Sequence, residues 1–215
     1  MSVILRLILG LVVSYLLGSI PTAYIISRLF KRIDIRKFGS GNVGATNVFR
    51  VLGKLPGILV LIIDIIKGIV ATTLIADFLG LTEVIYRATF GLVAVLGHIW
   101  TVFLRFKGGK GVATSLGLLL GLAININGLI LIMALSLVTW IIVFVLSGFV
   151  SLGSILTAVL TPIYMLIFDQ RIEIVSLGII LCVIIILRHT PNIKRLIDKT
   201  EPRVAILKFS RKRFL

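Results

Sequence analysis

Two glycine-rich stretches carry the residues most able to do chemistry. Phe38 to Arg50, FGSGNVGATNVFR, sets Ser40, Gly41, Asn42, Gly44, Thr46 and Asn47 ahead of Arg50, while Phe106 to Thr114, FKGGKGVAT, sets Lys107 and Lys110 around Gly108 and Gly109, with Gly111 and Thr114 after them. Glycines let a chain turn through positive φ so that successive N–H groups face one concavity, and cations close that concavity around an anion. These residue types predict a phosphate-binding pair of loops. Basic residues at a membrane boundary often serve only topology and head groups, but charge alone would not require glycines at 108, 109 and 111.

Two familiar nucleotide motifs are excluded by context. Gly39, Gly41 and Gly44 fit G-x-G-x-x-G, with Asp64 further on, yet no βαβ unit surrounds them. Neither lysine of the second stretch sits in a GK followed directly by Ser or Thr, so a Walker loop is absent too.

The elements that must hold these loops are membrane spans. Hydrophobic residues make up 59% of the 215, charged residues only 14%, and the mean hydropathy is +1.18, which places the chain outside soluble domains. The net charge of +15 is gathered in the connections, which argues against nucleic acid. Apolar runs at Val3 to Ile26, Leu55 to Leu79, Ala88 to Leu104, a short one from Val112, Gly128 to Leu146, one ending at Phe168 and one ending at Leu187 predict an all-α polytopic bundle. About seven crossings are expected, or five if the shorter pieces are re-entrant or interfacial. The turn-like GSIP at Gly18 to Pro21 and the length of the first run argue against a cleaved signal peptide. SGFVSLGS, Ser147 to Ser154, is expected as a connector.

With the N-terminus outside, the inner segments hold 19 of the 23 basic residues: seven between Ser27 and Lys54, three beside KGGKG and nine from Arg188 onward. The positive-inside rule therefore predicts a cytoplasmic C-terminus and puts both glycine loops and the tail on one face.

Within the spans, Asp64 and Lys67 lie three residues apart on one helix face and can neutralise each other, so a structural role suits them as well as a functional one. His98 reads as a hydrogen-bonded packing residue that could also orient the KGGKG loop. His189, with Asn192 three residues on, emerges where the two loops are expected. Cys182 is the only cysteine, so internal disulfides are impossible, and no acid or histidine cluster suggests a metal.

GSGNVGATN, GHIWTVFLRFKGGKGVAT, the SLGS serines, HTPNIKRL, GSIP and DIIKG together resemble the bacterial acyl-phosphate-dependent glycerol-3-phosphate acyltransferases, the PlsY family, nearly end to end. The resemblance implies one membrane-embedded acyltransferase domain over 1–215 in the bacterial cytoplasmic (inner) membrane. It implies acyl transfer from acyl phosphate to the 1-hydroxyl of glycerol 3-phosphate, with membrane lipid as the surroundings and no coenzyme A, metal or other cofactor. It places phosphate contacts on Ser40, Gly41, Asn42, Thr46 and Asn47, puts Arg50 and Lys107 on the two phosphorylated substrates, and adds Ser151, His189 and Asn192. Three departures stand out: Thr101 where the family has proline, no basic residue near Gly148, and Lys199 where a glycine precedes Thr200-Glu201.

An acyl phosphate is a mixed anhydride with a good leaving group, so alignment and oxyanion stabilisation matter more than a strong base. The His-x4-Asp pair of other glycerophosphate acyltransferases is missing: His98 is followed by Phe103 and His189 by Lys194. Direct transfer without an acyl-enzyme is expected. The alternative is a transporter or flippase for an organic phosphate, which broken spans and intramembrane charge would also suit.

Overall fold

In lipid a backbone can satisfy its own polar groups only by coiling or by closing a barrel, and these apolar runs coil. The computed structural model describes residues 1–204, and among these there is no strand. The helices are α1 (Val3–Ser19), α2 (Thr22–Lys31), α3 (Ala45–Leu52), α4 (Lys54–Phe78), α5 (Val84–Ile99), α6 (Val112–Ala123), α7 (Leu129–Ser147), α8 (Val150–Ile167), α9 (Ile172–Arg188) and α10 (Thr190–Ile197). Four of the nine tail cations used in the orientation argument, Lys208, Arg211, Lys212 and Arg213, lie outside the described residues.

Among the described residues five helical stretches are long and apolar enough to cross a membrane, and six if α9 and α10, bent by 58°, count as one broken span. The expected short span from Val112 is the 12-residue α6. At 1.5 Å per residue it covers about 18 Å, less than a bilayer core of about 30 Å. Nor is SGFVSLGS an open connector, because α8 begins at Val150 and takes Ser151 to Ser154 into its first turns.

Lipid gives helices no hydrophobic reason to associate, so close approach of small residues has to supply the packing. Gly18 of α1 lies so near Ala94 of α5 that a Cβ would fall 2.0 Å from its carbonyl oxygen, and Gly117 of α6 approaches the Ile65 carbonyl of α4 to 1.9 Å in the same sense. The outer faces of α1 and α7 stay exposed and apolar at residues such as Ile4, Ile8, Leu137 and Ile141, as a lipid-facing belt requires.

The first span is broken between α1 and α2 at Pro21, which has no N–H to donate. The carbonyls freed there find partners from elsewhere: Thr101 Oγ1 donates to Ser19 O and Lys67 Nζ to Ile20 O. Thr101 thus contributes a hydrogen bond that the proline expected there from the resemblance could not. At the opposite end of the bundle, Arg6 reaches Leu79 O at 3.0 Å and Arg87 pairs with Asp77.

Candidate active site

At the other end, residues from α3, the 105–111 loop, α8, α9, α10 and the tail converge on one carboxylate. Glu201, 8% exposed, accepts Ser151 Oγ at 2.7 Å and Asn192 Nδ2 at 2.6 Å on Oε1, and Arg195 Nε at 2.7 Å on Oε2. Lys110 Nζ donates to Asn192 Oδ1. Arg50 Nη2 holds Pro202 O at 3.2 Å, and Arg188 Nη2 holds Gly109 O at 3.3 Å. Among the described residues the Nε atoms of Arg50 and Arg188 are buried without a hydrogen-bond partner. Arg195, Lys110 and Arg50 thus lie around one acid, with Arg188 beside Lys110, leaving a surplus of positive charge suited to an anionic ligand.

The bend that builds this cluster follows from Pro191. Its missing N–H would leave Leu187 O without a partner, and Thr190 Oγ1 takes that carbonyl at 2.8 Å. The turn places His189 at the corner, 2% exposed, with Nδ1 bonded to Ile185 O at 2.8 Å. A carbonyl only accepts, so Nδ1 carries the proton and the neutral ring keeps its lone pair on Nε2. After α10, Lys199 adopts φ 55°, the left-handed conformation in which a glycine would be unstrained, and the chain turns back so that the Thr200 and Glu201 N–H groups both donate to Arg195 O. Val204 N then bonds Gly148 O at 2.9 Å, and Arg203 lies 5.1 Å over the Phe149 ring. The tail therefore brings a cation to the neighbourhood of Gly148, where the resemblance led one to expect a basic residue.

Burial pushes the Lys110 ammonium down, and the nearby Arg195, Arg50 and Arg188 push the same way against Glu201, leaving it at about 8. Burial pushes the Glu201 carboxyl up, but the hydrogen bonds from Ser151, Asn192 and Arg195 outweigh this and hold it below its ordinary range. Burial also lowers the Arg50 guanidinium.

In the first loop, Gly39 and Gly41 take φ 59° and 71°. Asn47, 1% exposed, ties the loop together: Nδ2 donates to Ile35 O, Phe38 O and Asn42 O, and Oδ1 accepts Ser40 N at 2.9 Å. Its polar atoms are consumed, so its part is to shape the loop and not to touch phosphate. Ser40 is exposed, while Gly41, Asn42, Gly44 and Thr46 are half-buried around the start of α3.

The second loop differs more from the expectation. Gly108 N donates to Ile99 O at 3.0 Å and Gly109 N to His98 O at 3.1 Å, so neither amide is free to form an anion nest. These glycines are required because the loop runs against the α5 backbone: a Cβ on Gly108 would lie 2.1 Å from His98 O, and one on Gly109 2.2 Å from His98 Nε2. Gly111 takes φ 85° as the N-cap of α6. Thr114 is fully buried with an unpartnered hydroxyl, as is Ser115 Oγ. Lys110 points into the cluster, whereas Lys107 is exposed.

Asp64, Lys67 and His98 form a separate buried network beneath this loop. Asp64 Oδ1 accepts Lys67 Nζ at 2.8 Å and Thr22 Oγ1 at 2.9 Å, and lies 3.7 Å from His98 Nδ1.

The structure therefore brings together Arg50, Lys110, Ser151, His189 and Asn192, with the first loop alongside. Sequence reasoning missed Glu201, Arg188 and Arg195. Asp198 and Glu201 are the only acids among the nine basic residues from Arg188 onward, and that imbalance was the available signal for Glu201. Among the described residues no three His, Cys, Asp or Glu side chains are grouped to hold a metal.

The glycerol-3-phosphate acyltransferase family matches residues 8–199. A glycerol-3-phosphate acyltransferase of Macrococcus caseolyticus is 45% identical over 206 residues, covering 95% of this chain and 100% of that protein, and one of Endomicrobium trichonymphae is 40% identical over 94% and 97%. The crystal structure of PlsY (YgiH), an integral membrane glycerol 3-phosphate acyltransferase, in its glycerol 3-phosphate form superposes with a TM-score of 0.82 at 35% identity, covering 92% of this chain and 95% of that one. Its lysophosphatidic acid form gives 0.80 at the same identity, covering 92% and 94%.

Proposed function

Since this chain belongs to the glycerol-3-phosphate acyltransferase family, we propose that it moves a fatty acyl group from acyl phosphate to the 1-hydroxyl of glycerol 3-phosphate, at the cytoplasmic face of a bacterial inner membrane. The observation that carries this reading is the convergence of Arg50, Lys110, Arg188 and Arg195 with Ser151, His189 and Asn192 at one end of an apolar bundle. Both substrates are phosphorylated, and the acyl donor also carries a hydrocarbon chain that lipid accommodates. A cationic cluster at the membrane surface meets both requirements.

In the reaction the glycerol hydroxyl oxygen attacks the acyl carbonyl, forming a new C–O bond. The tetrahedral oxyanion then collapses, the carbonyl carbon to phosphate oxygen bond breaks with its electron pair on the departing phosphate, and the hydroxyl proton goes to that phosphate or to His189 Nε2. Lys110 and Arg50 hold the phosphate groups, and idle donors such as Arg50 Nε stabilise developing negative charge. Lys107, on the exposed rim, steers anions toward the site more than it grips them. Ser40, Asn42 and Thr46 supply further polar contacts beside the start of α3.

Purified protein in detergent, given labelled glycerol 3-phosphate and either acyl phosphate or acyl coenzyme A, tests the donor. Lysophosphatidate should form with acyl phosphate alone. Product from the coenzyme A thioester only would overturn the donor assignment, and no product from either would favour transport.

A further inference from the structure

The buried charges beneath the site have a use beyond closing the α1–α2 break. We propose that His98, held in place by Asp64, is a positioning residue that sets the 105–111 loop against the first glycine loop, an inference that rests on the acyl-transfer reading above.

His98 meets Gly109 twice. Its carbonyl accepts the Gly109 N–H at 3.1 Å, and its ring Nε2 lies 2.2 Å from where a Gly109 Cβ would stand. Gly109 is in turn the point where three site elements touch. A Cβ there would come within 2.8 Å of Val43 O in the first loop, and the Gly109 carbonyl accepts Arg188 of α9. The next residue is Lys110. A shift of the imidazole therefore passes directly to both loops and to the lysine that meets Asn192.

The ring has a reason to stay where it is. Its Nδ1 faces Asp64 Oδ1 at 3.7 Å, and that oxygen is fixed by Lys67 and Thr22. Asp64 and Lys67 are each 2% exposed, Thr22 is 5% and His98 is 9%. Capping the broken span accounts for Lys67, which donates to Ile20 O, and Asp64 neutralises that buried ammonium at 2.8 Å. The same carboxylate oxygen that neutralises Lys67 also faces the His98 ring. It attracts the Nδ1 side of the His98 ring, so that Nε2 lies toward the loop. Between ring and loop lies a cavity of about 10 Å³, lined by Asp64, His98, Thr22, Thr101, Gly108 and Gly109, with room for one water. The Gly108 and Gly109 N–H groups tie the loop to the α5 backbone, and the imidazole edge sets how closely Gly109 can approach.

Misplacing a reacting group by about 1 Å can lower a rate about a hundredfold. We expect His98→Ala to raise the KM for glycerol 3-phosphate about tenfold or more while kcat changes less, and Asp64→Asn combined with Lys67→Met, which removes both charges together, to do the same. The triple variant should be no worse than His98→Ala, because Asp64 acts through the ring. Multiplying effects, or unchanged KM with only a lower Tm, would overturn the proposal. Should the charge-neutral variant not fold, Thr22→Val, which removes one of the groups fixing Asp64, must raise the same KM by a smaller factor, and its failure to do so overturns the proposal equally. If the unsubstituted protein makes no lysophosphatidate, the reaction reading falls by itself. Hydrogen exchange of full-length protein then decides the positioning claim. Faster exchange over residues 105–111 in His98→Ala, with α8 unchanged, supports it, and unchanged exchange there refutes it.

Discussion

Ser151 donates its hydroxyl to Glu201 at 2.7 Å across 50 residues of sequence, and both residues are buried. A serine beside a carboxylate can look like a nucleophile with its base. Here the carboxylate also accepts from Asn192 and Arg195, and the net effect of its surroundings lowers its proton affinity, so it is a poor base. Ser151→Ala should therefore lose only a hydrogen bond to a charged group, about 1.5 to 3 kcal/mol, and keep turnover that a missing nucleophile would abolish. Steady-state rates of the variant check this, together with the absence of acylated protein after exposure to acyl phosphate alone.

Glu201 links the tail to the site and makes it acid-sensitive. Its carboxyl is held below the ordinary value of 4.5, so its stabilisation is fully present above about pH 4.5 and is lost as pH falls through the folded value. Melting temperatures from pH 7 down to pH 3 should fall more steeply for the unsubstituted protein than for Glu201→Gln. At pH 7 the variant should be the less stable by about 3 kcal/mol, since it leaves buried cations without their acid.

Lys110 sets an alkaline limit. With its ammonium lowered to about 8 from 10.5, it loses its charge in the folded protein before the unfolded chain would, so activity should fall as pH rises through about 8 while this group's contribution to stability rises. Lys110→Arg, charged at any accessible pH, should remove that limb. Glu201→Gln should move it lower, because Glu201 is the one neighbour that raises it. Profiles of kcat/KM against pH for the three proteins distinguish these outcomes.

The departures from the family pattern carry a stability prediction of their own. Lys199 holds φ 55°, where a side chain costs about 1 to 2 kcal/mol and glycine does not. Lys199→Gly should stabilise the protein by about 1 kcal/mol, read from thermal or denaturant unfolding, with activity retained.

Much of the architecture was legible because lipid imposes a simple code: apolar runs read as helices, and clustered cations marked the end where the loops meet. α6 was hard to place because the code counts length, and 12 residues starting against Gly68 in the middle of α4 fit neither a full span nor a surface helix. Within the site, glycine-rich sequence could mean an anion nest or a loop pressed against a helix. Gly108 and Gly109 are the second case, set by the backbone of His98 and Ile99, which no local pattern reveals. The choice between Lys107 and Lys110 likewise depended on the partner Asn192, 82 residues away, and the part of Glu201 on the turn that Lys199 makes after α10.

Direct transfer between two bound phosphates is most sharply tested by initial rates of lysophosphatidate formation in detergent, with acyl phosphate and glycerol 3-phosphate both varied. A ternary complex gives intersecting double-reciprocal lines, with one phosphate released per lysophosphatidate formed. Parallel lines, together with an acylated protein able to pass its acyl group to glycerol 3-phosphate, would contradict it.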